Sequence, residues 1–275
     1  MTELDKADVL DGLFAEWDAI LALAAGLSDA QWQAPTPLPG WAVRDVVAHV
    51  IGTESMLQGV GTPEADVDVS TLKHVRNDIG VLNERWVRKL RSVNAADLLD
   101  ELRHTIARRR TALSNLSNDG WNEITATPAG PDTYGRFMRV RVFDCWMHEH
   151  DIRDALDLPA VEADLVGPSS RLALDEVAAS MGFVVGRLGG APDGSRVRIE
   201  LTGPLHRTIN VAVDGRGRVV EEFDAEPTAT IALDGLLFTR LAGGRTPLAQ
   251  HADAVTYGGD EEVGGRVVEH LNYVI

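Results

Sequence analysis

The sequence predicts an α+β protein of two domains: an up-and-down four-helix bundle over residues 1–160 and a small α+β domain with an antiparallel sheet over residues 161–275. Three observations predict this division. Apolar residues recur every three or four positions in the first half, which is the period of amphipathic helices. In several segments of the second half they alternate with polar residues, which is the period of half-buried strands. Between the two patterns, Pro159 and Pro168 mark a boundary within residues 158–168.

The first half contains five predicted helices. The first, over residues 5–27, carries the longest apolar stripe, and the segment Pro35–Pro39 breaks the chain after it because proline lacks a backbone donor and fixes φ. The other four are expected over residues 43–57, 72–90, 95–116 and 136–156, with residues 117–135 irregular. Four of the five are long enough to form a bundle with its own core.

The second half mixes helices and strands. Its predicted elements are a helix over 169–188, strands over 197–201, 209–213 and 228–233, and helices over 236–241 and 262–271. The segment Asp214–Gly217 predicts a hairpin turn into a further strand near Val219. It lacks the third glycine and the following helix of a dinucleotide fingerprint, so we interpret it as a plain turn.

Composition excludes several classes of function. With 26 Lys and Arg against 42 Asp and Glu, the net charge is −16, which leaves no cationic face for nucleic acid. The longest apolar run, Ala19–Leu27, is far shorter than the roughly 20 residues of a membrane span. The acidic start lacks the features of a secretory signal, and the single cysteine, Cys145, excludes an internal disulfide. We therefore expect a soluble, cytoplasmic protein.

A carboxylate and an imidazole lie one turn apart on the last predicted bundle helix. Asp144 and His148 share a helix face, and Asp151 falls on the same face. A third candidate is His49, in the apolar stretch Val46–Ile51, where a buried histidine must be hydrogen-bonded or ligated. This set suits a borderline cation such as Zn²⁺. Taken singly, an exposed ion pair and a hydrogen-bonded core histidine explain the same residues.

Two segments carry a resemblance to a known family. The first runs from Leu38 to His49 with the sequence LPGWAVRDVVAH, and the second spans Asp144–Arg153, with His148 and Asp151 at their spacing. Together they resemble the mycothiol-dependent maleylpyruvate isomerase family of actinobacteria, whose N-terminal domain belongs to the DinB-like metal-binding bundles. Residues from 196 onward resemble its sterol-carrier-like C-terminal domain, so the resemblance covers nearly the whole chain.

The resemblance implies a metal site. In the family a divalent cation, usually zinc, sits on a histidine of the second helix and on a carboxylate and a histidine of the last bundle helix, which carry over to His49, Asp144 and His148. The family commonly has glutamate where this chain has Asp144. Three protein ligands leave a fourth position open, as in catalytic zinc sites. Asp151 is expected to accept a hydrogen bond from a ligand histidine.

The resemblance also implies mycothiol as a thiol cosubstrate. Cys145 lies about 100° around the helix from Asp144, so we expect it to be a small core residue, with the reactive thiol coming from outside. A coordinating cation deprotonates a thiol, and the thiolate is the nucleophile. The implied mechanism is addition of metal-bound mycothiol thiolate to an electrophilic alkene, followed by rotation and elimination to give cis–trans isomerisation. Without elimination, the product is a thiol conjugate.

Several alternatives remain open at this stage. An anionic small-molecule substrate needs cationic partners, for which Arg207, Arg240 and Arg245 are candidates, although a solvated surface arginine is the favoured interpretation of each. The run Arg108–Arg110 points around three sides of a helix and is expected to be solvated. Two further classes of function compete with an enzyme: a non-catalytic protein that binds a metal or small molecule, and a structural bundle whose site has lapsed.

Overall fold

The computed structural model describes residues 1–274 and divides the chain into two compact units. The bundle unit is Met1–Val161, and the sheet unit begins at Glu162. The predicted fold class is confirmed, since helices fill most of the first unit and a sheet with helices packed on it forms the second. Within residues 1–274, no helix combines the length and the apolarity that crossing a membrane requires.

The bundle unit is built around four helices that pack against one another. The helices of this unit are α1 (Lys6–Ala25), α2 (Asp29–Trp32), α3 (Val43–Met56), α4 (Asp78–Leu90), α5 (Ala95–Asn115), α6 (Asn118–Trp121) and α7 (Tyr134–Ala155). The bundle consists of α1, α3, α5 and α7, and α4 packs on the outside of α3. Fully buried side chains such as Trp17, Val50, Leu102 and Met138 fill its core.

Local hydrogen bonds fix where α3 and α7 begin, the two helices that contain the candidate metal ligands. The Asp45 carboxylate of α3 accepts a hydrogen bond from the Ala42 amide at 2.9 Å. The Thr133 hydroxyl caps α7 by accepting from the Arg136 amide at 3.1 Å. A capped start satisfies amides that have no partner inside the helix. These starts also determine which side chains each helix turns towards the core.

Two expectations for the bundle unit are wrong. The third helix does not start near residue 72 but at Asp78, because the Asn77 side chain caps it by accepting from the Gly80 amide at 2.8 Å. The segment 117–135 is not irregular, since it contains α6 and an antiparallel hairpin of β1 (Ile124–Thr127) and β2 (Gly130–Thr133). Strands of four residues are too short for alternation to distinguish them from loops.

The sheet unit contains a five-stranded sheet in the order β5-β4-β3-β6-β7. The strands are β3 (Arg196–Thr202), β4 (Arg207–Asp214), β5 (Arg216–Val220), β6 (Ala229–Asp234) and β7 (Thr256–Gly259). Neighbours are antiparallel as expected, except that β3 and β6 run parallel. The sequence did not predict β7, whose Gly258 and Gly259 have low strand propensity.

Four α-helices complete the sheet unit as far as residue 274. They are α8 (Glu162–Leu165), α9 (Pro168–Phe183), α10 (Gly235–Ala242) and α11 (Glu261–Glu269). The predicted helix over 169–188 is α-helical to Phe183 and continues as a π-helix over Val184–Leu188. Its backbone approaches β5 so closely that a Cβ on Gly217 would lie 2.2 Å from the Gly182 carbonyl oxygen. Gly217 is therefore a packing residue, while the turn itself is made by Gly215 at φ +64°.

Candidate metal centre

Helices α3 and α7 bring the three predicted metal ligands to one place. His49 lies in the second turn of α3, Asp144 and His148 lie one turn apart on α7, and the two helices are in contact. One ring nitrogen of each histidine and one oxygen of Asp144 all lie within 4.8 Å of one another. His49 Nε2 is 3.1 Å from Asp144 Oδ2, and His148 Nε2 is 3.5 Å from Asp144 Oδ1.

These atoms fit a divalent cation by chemistry and by spacing. Two imidazole nitrogens and one carboxylate oxygen form a donor set that zinc accepts. Donors about 2.0–2.1 Å from a tetrahedral ion lie roughly 3.3 Å from one another, and each histidine Nε2 lies near that distance from an Asp144 oxygen, at 3.1 Å from Oδ2 for His49 and at 3.5 Å from Oδ1 for His148. The side chains of His49 and His148 are 4% and 7% exposed, whereas that of Asp144 is 30% exposed. Asp144 is therefore the most solvent-exposed side chain of the cluster.

Asp151 lies behind one of the histidines. The Nδ1 atom of His148 is 2.9 Å from Asp151 Oδ2, and the Asp151 side chain is buried. Because an ionised carboxylate only accepts hydrogen bonds, Nδ1 carries the proton and the Nε2 lone pair of a neutral His148 faces Asp144. This carboxylate–imidazole pair is the arrangement that orients histidine ligands in metal sites.

The pKa values of the three groups are shifted in the directions expected of such a cluster. Burial lowers the pKa of His49, against the attraction of Asp144. Burial also acts to lower the pKa of His148, but the Asp144 charge and the hydrogen bonds to Asp144 and Asp151 outweigh it and raise the value. Loss of solvent acts to raise the pKa of Asp144, but Arg141 and the two histidines hold it well below its usual range. In this cluster Asp144 is thus an anion and His49 a neutral ring near neutral pH.

A charged network behind Asp144 was missed by the sequence analysis. Arg141 Nη1 donates to Asp144 Oδ2, and Arg141 Nε donates to Glu54 Oε1 at 2.8 Å. The other oxygen of Glu54 accepts from Arg109 Nε at 2.9 Å. The prediction that Arg108–Arg110 is solvated is therefore wrong for Arg109, which is 3% exposed. The available signal was the three-residue spacing of Arg141 and Asp144 on α7; the helical pattern contains nothing that links either to Glu54.

Trp41 covers another side of the histidine pair. Its indole ring centroid is 5.4 Å from that of His49 and 6.2 Å from that of His148. The indole Nε1 donates to Glu84 Oε2 at 3.0 Å, and His74 Nε2 shares that oxygen at 3.1 Å. The tryptophan belongs to the segment Leu38–His49 and shields the two rings from solvent on its side.

The remaining candidates lie outside this cluster. Cys145 is buried, and burial raises the pKa of its thiol well above the usual range, as expected of a core residue. The three candidate substrate arginines are in the sheet unit. Arg207 pairs with Asp175, and Arg245 Nη1 donates to the Gly243 carbonyl at 2.6 Å, while Arg240 lies in the last turn of α10. Their role towards a substrate stays a prediction.

Comparison with known proteins identifies the family. Residues 13–153 match the domain family described as Mycothiol maleylpyruvate isomerase N-terminal domain, and residues 171–266 match the one described as MDMPI C-terminal domain. The chain belongs to the mycothiol maleylpyruvate isomerase family.

The individual proteins that resemble this chain share less than a third of its residues in the aligned regions. Uncharacterized proteins from two strains of Mycobacterium tuberculosis are each 28% identical to the chain over 152 residues, which is 55% of this chain and 58% of theirs. The chain thus spans little more than half the length of these curated relatives. A crystal structure of a mycothiol-dependent maleylpyruvate isomerase is 18% identical, covers 94% of this chain and 96% of its own, and superposes with a TM-score of 0.61. A histidine-to-alanine mutant of such an isomerase gives a TM-score of 0.59 at 17% identity, with the same coverage of both chains. These two likenesses show the shared fold.

Proposed function

We propose that this chain is a metal-dependent enzyme that uses mycothiol to isomerise a small electrophilic alkene, maleylpyruvate or a close analogue. The observation that carries the proposal is the convergence of His49, Asp144 and His148 within 4.8 Å, at a point open to solvent through the carboxylate. In the proposed reaction the thiolate forms a C–S bond as the alkene π bond breaks, and the π electron pair moves onto the conjugated carbonyl. Rotation follows about the C–C bond that was the double bond, and loss of the thiolate as the electron pair returns restores the alkene with trans geometry.

Each residue of the candidate site has a separate role in the proposed reaction. His49, Asp144 and His148 would hold a divalent cation, for which zinc is the proposed identity on the basis of the donor set. When bound, such a cation favours the thiolate form of a thiol at the site and so supplies a nucleophile. Asp151 holds the proton on His148 Nδ1, and Trp41 limits water access to the rings. Arg207, Arg240 and Arg245 stay candidates for binding a substrate carboxylate. The proposal places the enzyme in the cytoplasm, where low-molecular-weight thiols are kept reduced.

The test is a cobalt titration of the purified chain followed by addition of mycothiol. We expect one equivalent of Co²⁺ to bind to the wild type, and His49→Ala and His148→Ala each to lose that equivalent. Mycothiol is expected to change the visible spectrum of the cobalt form, and turnover of maleylpyruvate is expected only when both are present. A wild-type protein that binds no cation, or a cobalt form that mycothiol leaves unchanged, would contradict the proposal. Accumulation of a thiol conjugate in place of the trans isomer would assign S-transfer instead.

A further inference from the structure

Arg141 connects the metal-ligand cluster to the interior of the bundle. Its side chain is buried, and each of its guanidinium nitrogens has a partner. Nε donates to Glu54 Oε1 at 2.8 Å, Nη1 donates to Asp144 Oδ2, and Nη2 lies 3.5 Å from Cys145 Sγ. Because a guanidinium is planar and rigid, three fixed nitrogens fix its orientation.

Glu54 in turn anchors Arg141. It is fully buried, and its two oxygens are divided between Arg141 and Arg109. Arg109 is a residue of α5, and its Nη2 donates to two side chains of α7, to Tyr134 Oη at 2.7 Å and to the sulfur of Met138 at 3.3 Å. The charged network therefore joins α3, α5 and α7, and its only member with substantial solvent exposure among these residues is Asp144, at 30%.

Asp144 is the ligand candidate that most needs such support. Its side chain is short and partly exposed, so solvent competes for its oxygens. Arg141 contacts Oδ2, the same oxygen that faces His49 Nε2 at 3.1 Å, which leaves Oδ1 turned towards His148. We propose that Arg141 is a positioning residue that, braced by Glu54, holds the Asp144 carboxylate towards both histidines. This inference rests on the proposed function, because it assumes that the cluster binds a cation.

A purely structural role predicts something different. Buried ion pairs often contribute little net stability, and replacing them with apolar groups of similar volume is frequently neutral. An arginine that served only to neutralise Glu54 would need its Nε contact alone. The Nη1 contact to Asp144 does not help to neutralise Glu54, but it does limit the orientations that the Asp144 carboxylate can adopt.

The experiment measures Co²⁺ affinity and the visible spectrum of full-length variants. Arg141→Met removes the contacts to both carboxylates, and Arg141→Lys keeps the charge but replaces the fork with a single ammonium group. We expect Co²⁺ affinity to fall about 10–100-fold in Arg141→Met and roughly tenfold in Arg141→Lys, each with an altered cobalt spectrum. Two controls are matched to these variants. Arg110→Met removes the ion pair to Asp18, and Leu98→Ala destabilises the bundle core at a residue that belongs neither to the cluster nor to the charged network.

Each outcome decides the matter. Weakened affinity and an altered spectrum in the Arg141 variants, with both controls like the wild type, support the positioning role. Wild-type affinity and spectrum in the Arg141 variants overturn it, and so does a loss that Leu98→Ala reproduces. If Arg141→Met does not fold, Arg141→Lys is judged by the same criteria. A wild-type protein that binds no Co²⁺ overturns the proposed function as well, which distinguishes the two failures.

Discussion

At the scale of single residues, the candidate site depends on which atom of each side chain is available. Asp151 accepts a hydrogen bond from His148 Nδ1, so when that ring is neutral its lone pair lies on Nε2, the atom that faces Asp144. Arg141 acts in the same way on the other side of the cluster by occupying Asp144 Oδ2. The ligand candidates are thus oriented by neighbours that do not themselves face the cluster.

The first prediction concerns Asp151. Replacing it in Asp151→Asn removes the charge that holds the His148 proton on Nδ1, so we expect Co²⁺ affinity to fall about 10–100-fold. Isothermal titration calorimetry measures the change. Asp119→Asn, at an exposed position of α6, is the matched control and is expected to bind like the wild type. Equal affinity in Asp151→Asn would show that the charge of Asp151 does not influence cation binding.

At the scale of elements, contact between α3 and α4 sets the position of His49. A Cβ on Gly52 would lie 2.5 Å from both Cβ and Cγ of Trp86, so the two helices approach as closely as glycine permits. Gly52 is three residues after His49 and is fully packed. The same contact therefore locates the α3 backbone that carries the first ligand candidate.

The second prediction follows from this contact. Gly52→Ala should lower the free energy of unfolding by about 1–3 kcal/mol, because the added methyl group forces α3 and Trp86 apart. The free energy that this overpacking costs is larger than the free energy that α3 gains from the higher helix propensity of alanine. Urea denaturation followed by tryptophan fluorescence measures the loss. A Cβ on Gly61 meets no atom within 4 Å, so Gly61→Ala should stay within about 0.5 kcal/mol of the wild type. A Gly52→Ala protein as stable as this control would refute the close packing.

The third prediction concerns the hairpin of β1 and β2, to which Asp132 ties the start of the chain. Asp132 accepts hydrogen bonds at 2.8 Å from the amide and hydroxyl of Thr2 and from the Thr133 amide. Desolvation acts to raise its pKa, but these bonds together hold the pKa below its ordinary value. With the native pKa below that of the unfolded chain, this stabilisation is complete above about pH 4 and is lost as the pH falls through the native value.

The measurement is the melting temperature of wild type and Asp132→Asn from pH 7 to pH 2. We expect a loss on the order of 1 kcal/mol, or about 2–4 °C, at pH 7, shrinking towards zero below pH 4. Asp29→Asn, at an exposed position of α2, provides the comparison for a carboxylate without long-range contacts. A difference that does not change with pH would mean that the charge of Asp132 plays no part.

At the scale of the whole molecule, tryptophan fluorescence distinguishes the two units. All six tryptophans lie in the bundle unit, at positions 17, 32, 41, 86, 121 and 146. Every ligand candidate and every member of the charged network lies there too. Tryptophan fluorescence therefore reports on the unit that contains the candidate metal centre.

The fourth prediction uses this signal to detect the cation. At a free concentration of 100 times its dissociation constant, Co²⁺ should stabilise the bundle unit by about 2.7 kcal/mol and raise the tryptophan-monitored melting temperature by roughly 5–10 °C. The shift should be absent in His49→Ala. A shift of equal size in that variant would place the bound cation elsewhere.

The fifth prediction separates the stability of the sheet unit from the site. Gly217→Ala places a methyl group against the α9 backbone and should cost about 1–3 kcal/mol, measured by calorimetry. The Co²⁺ dissociation constant should stay within about twofold of the wild type, because no ligand candidate lies in that unit. A large loss of affinity would show that the sheet unit contributes to the cluster.

The limits of prediction from sequence are visible in particular elements. The long helices α1, α5 and α7 were predicted to within a few residues, because their apolar period and their caps are local features. The start of α4, the hairpin of β1 and β2, and β7 were missed, because a polar cap at Asn77 makes α4 begin later than its apolar pattern suggests and because the strands are too short for their period to be recognised. His49, Asp144 and His148 were selected by their residue types, their spacing and a family resemblance.

By itself, the sequence determined the fold class and the order of the long elements, since these follow from local periods and caps. Together with a family resemblance, it also selected the three candidate ligands. Only the tertiary structure decided that Arg141, Glu54 and Arg109 support Asp144, and that Gly217 lies against α9. Those contacts join segments far apart in the chain, and they depend on how each element is rotated and how closely it packs. No local period carries that information.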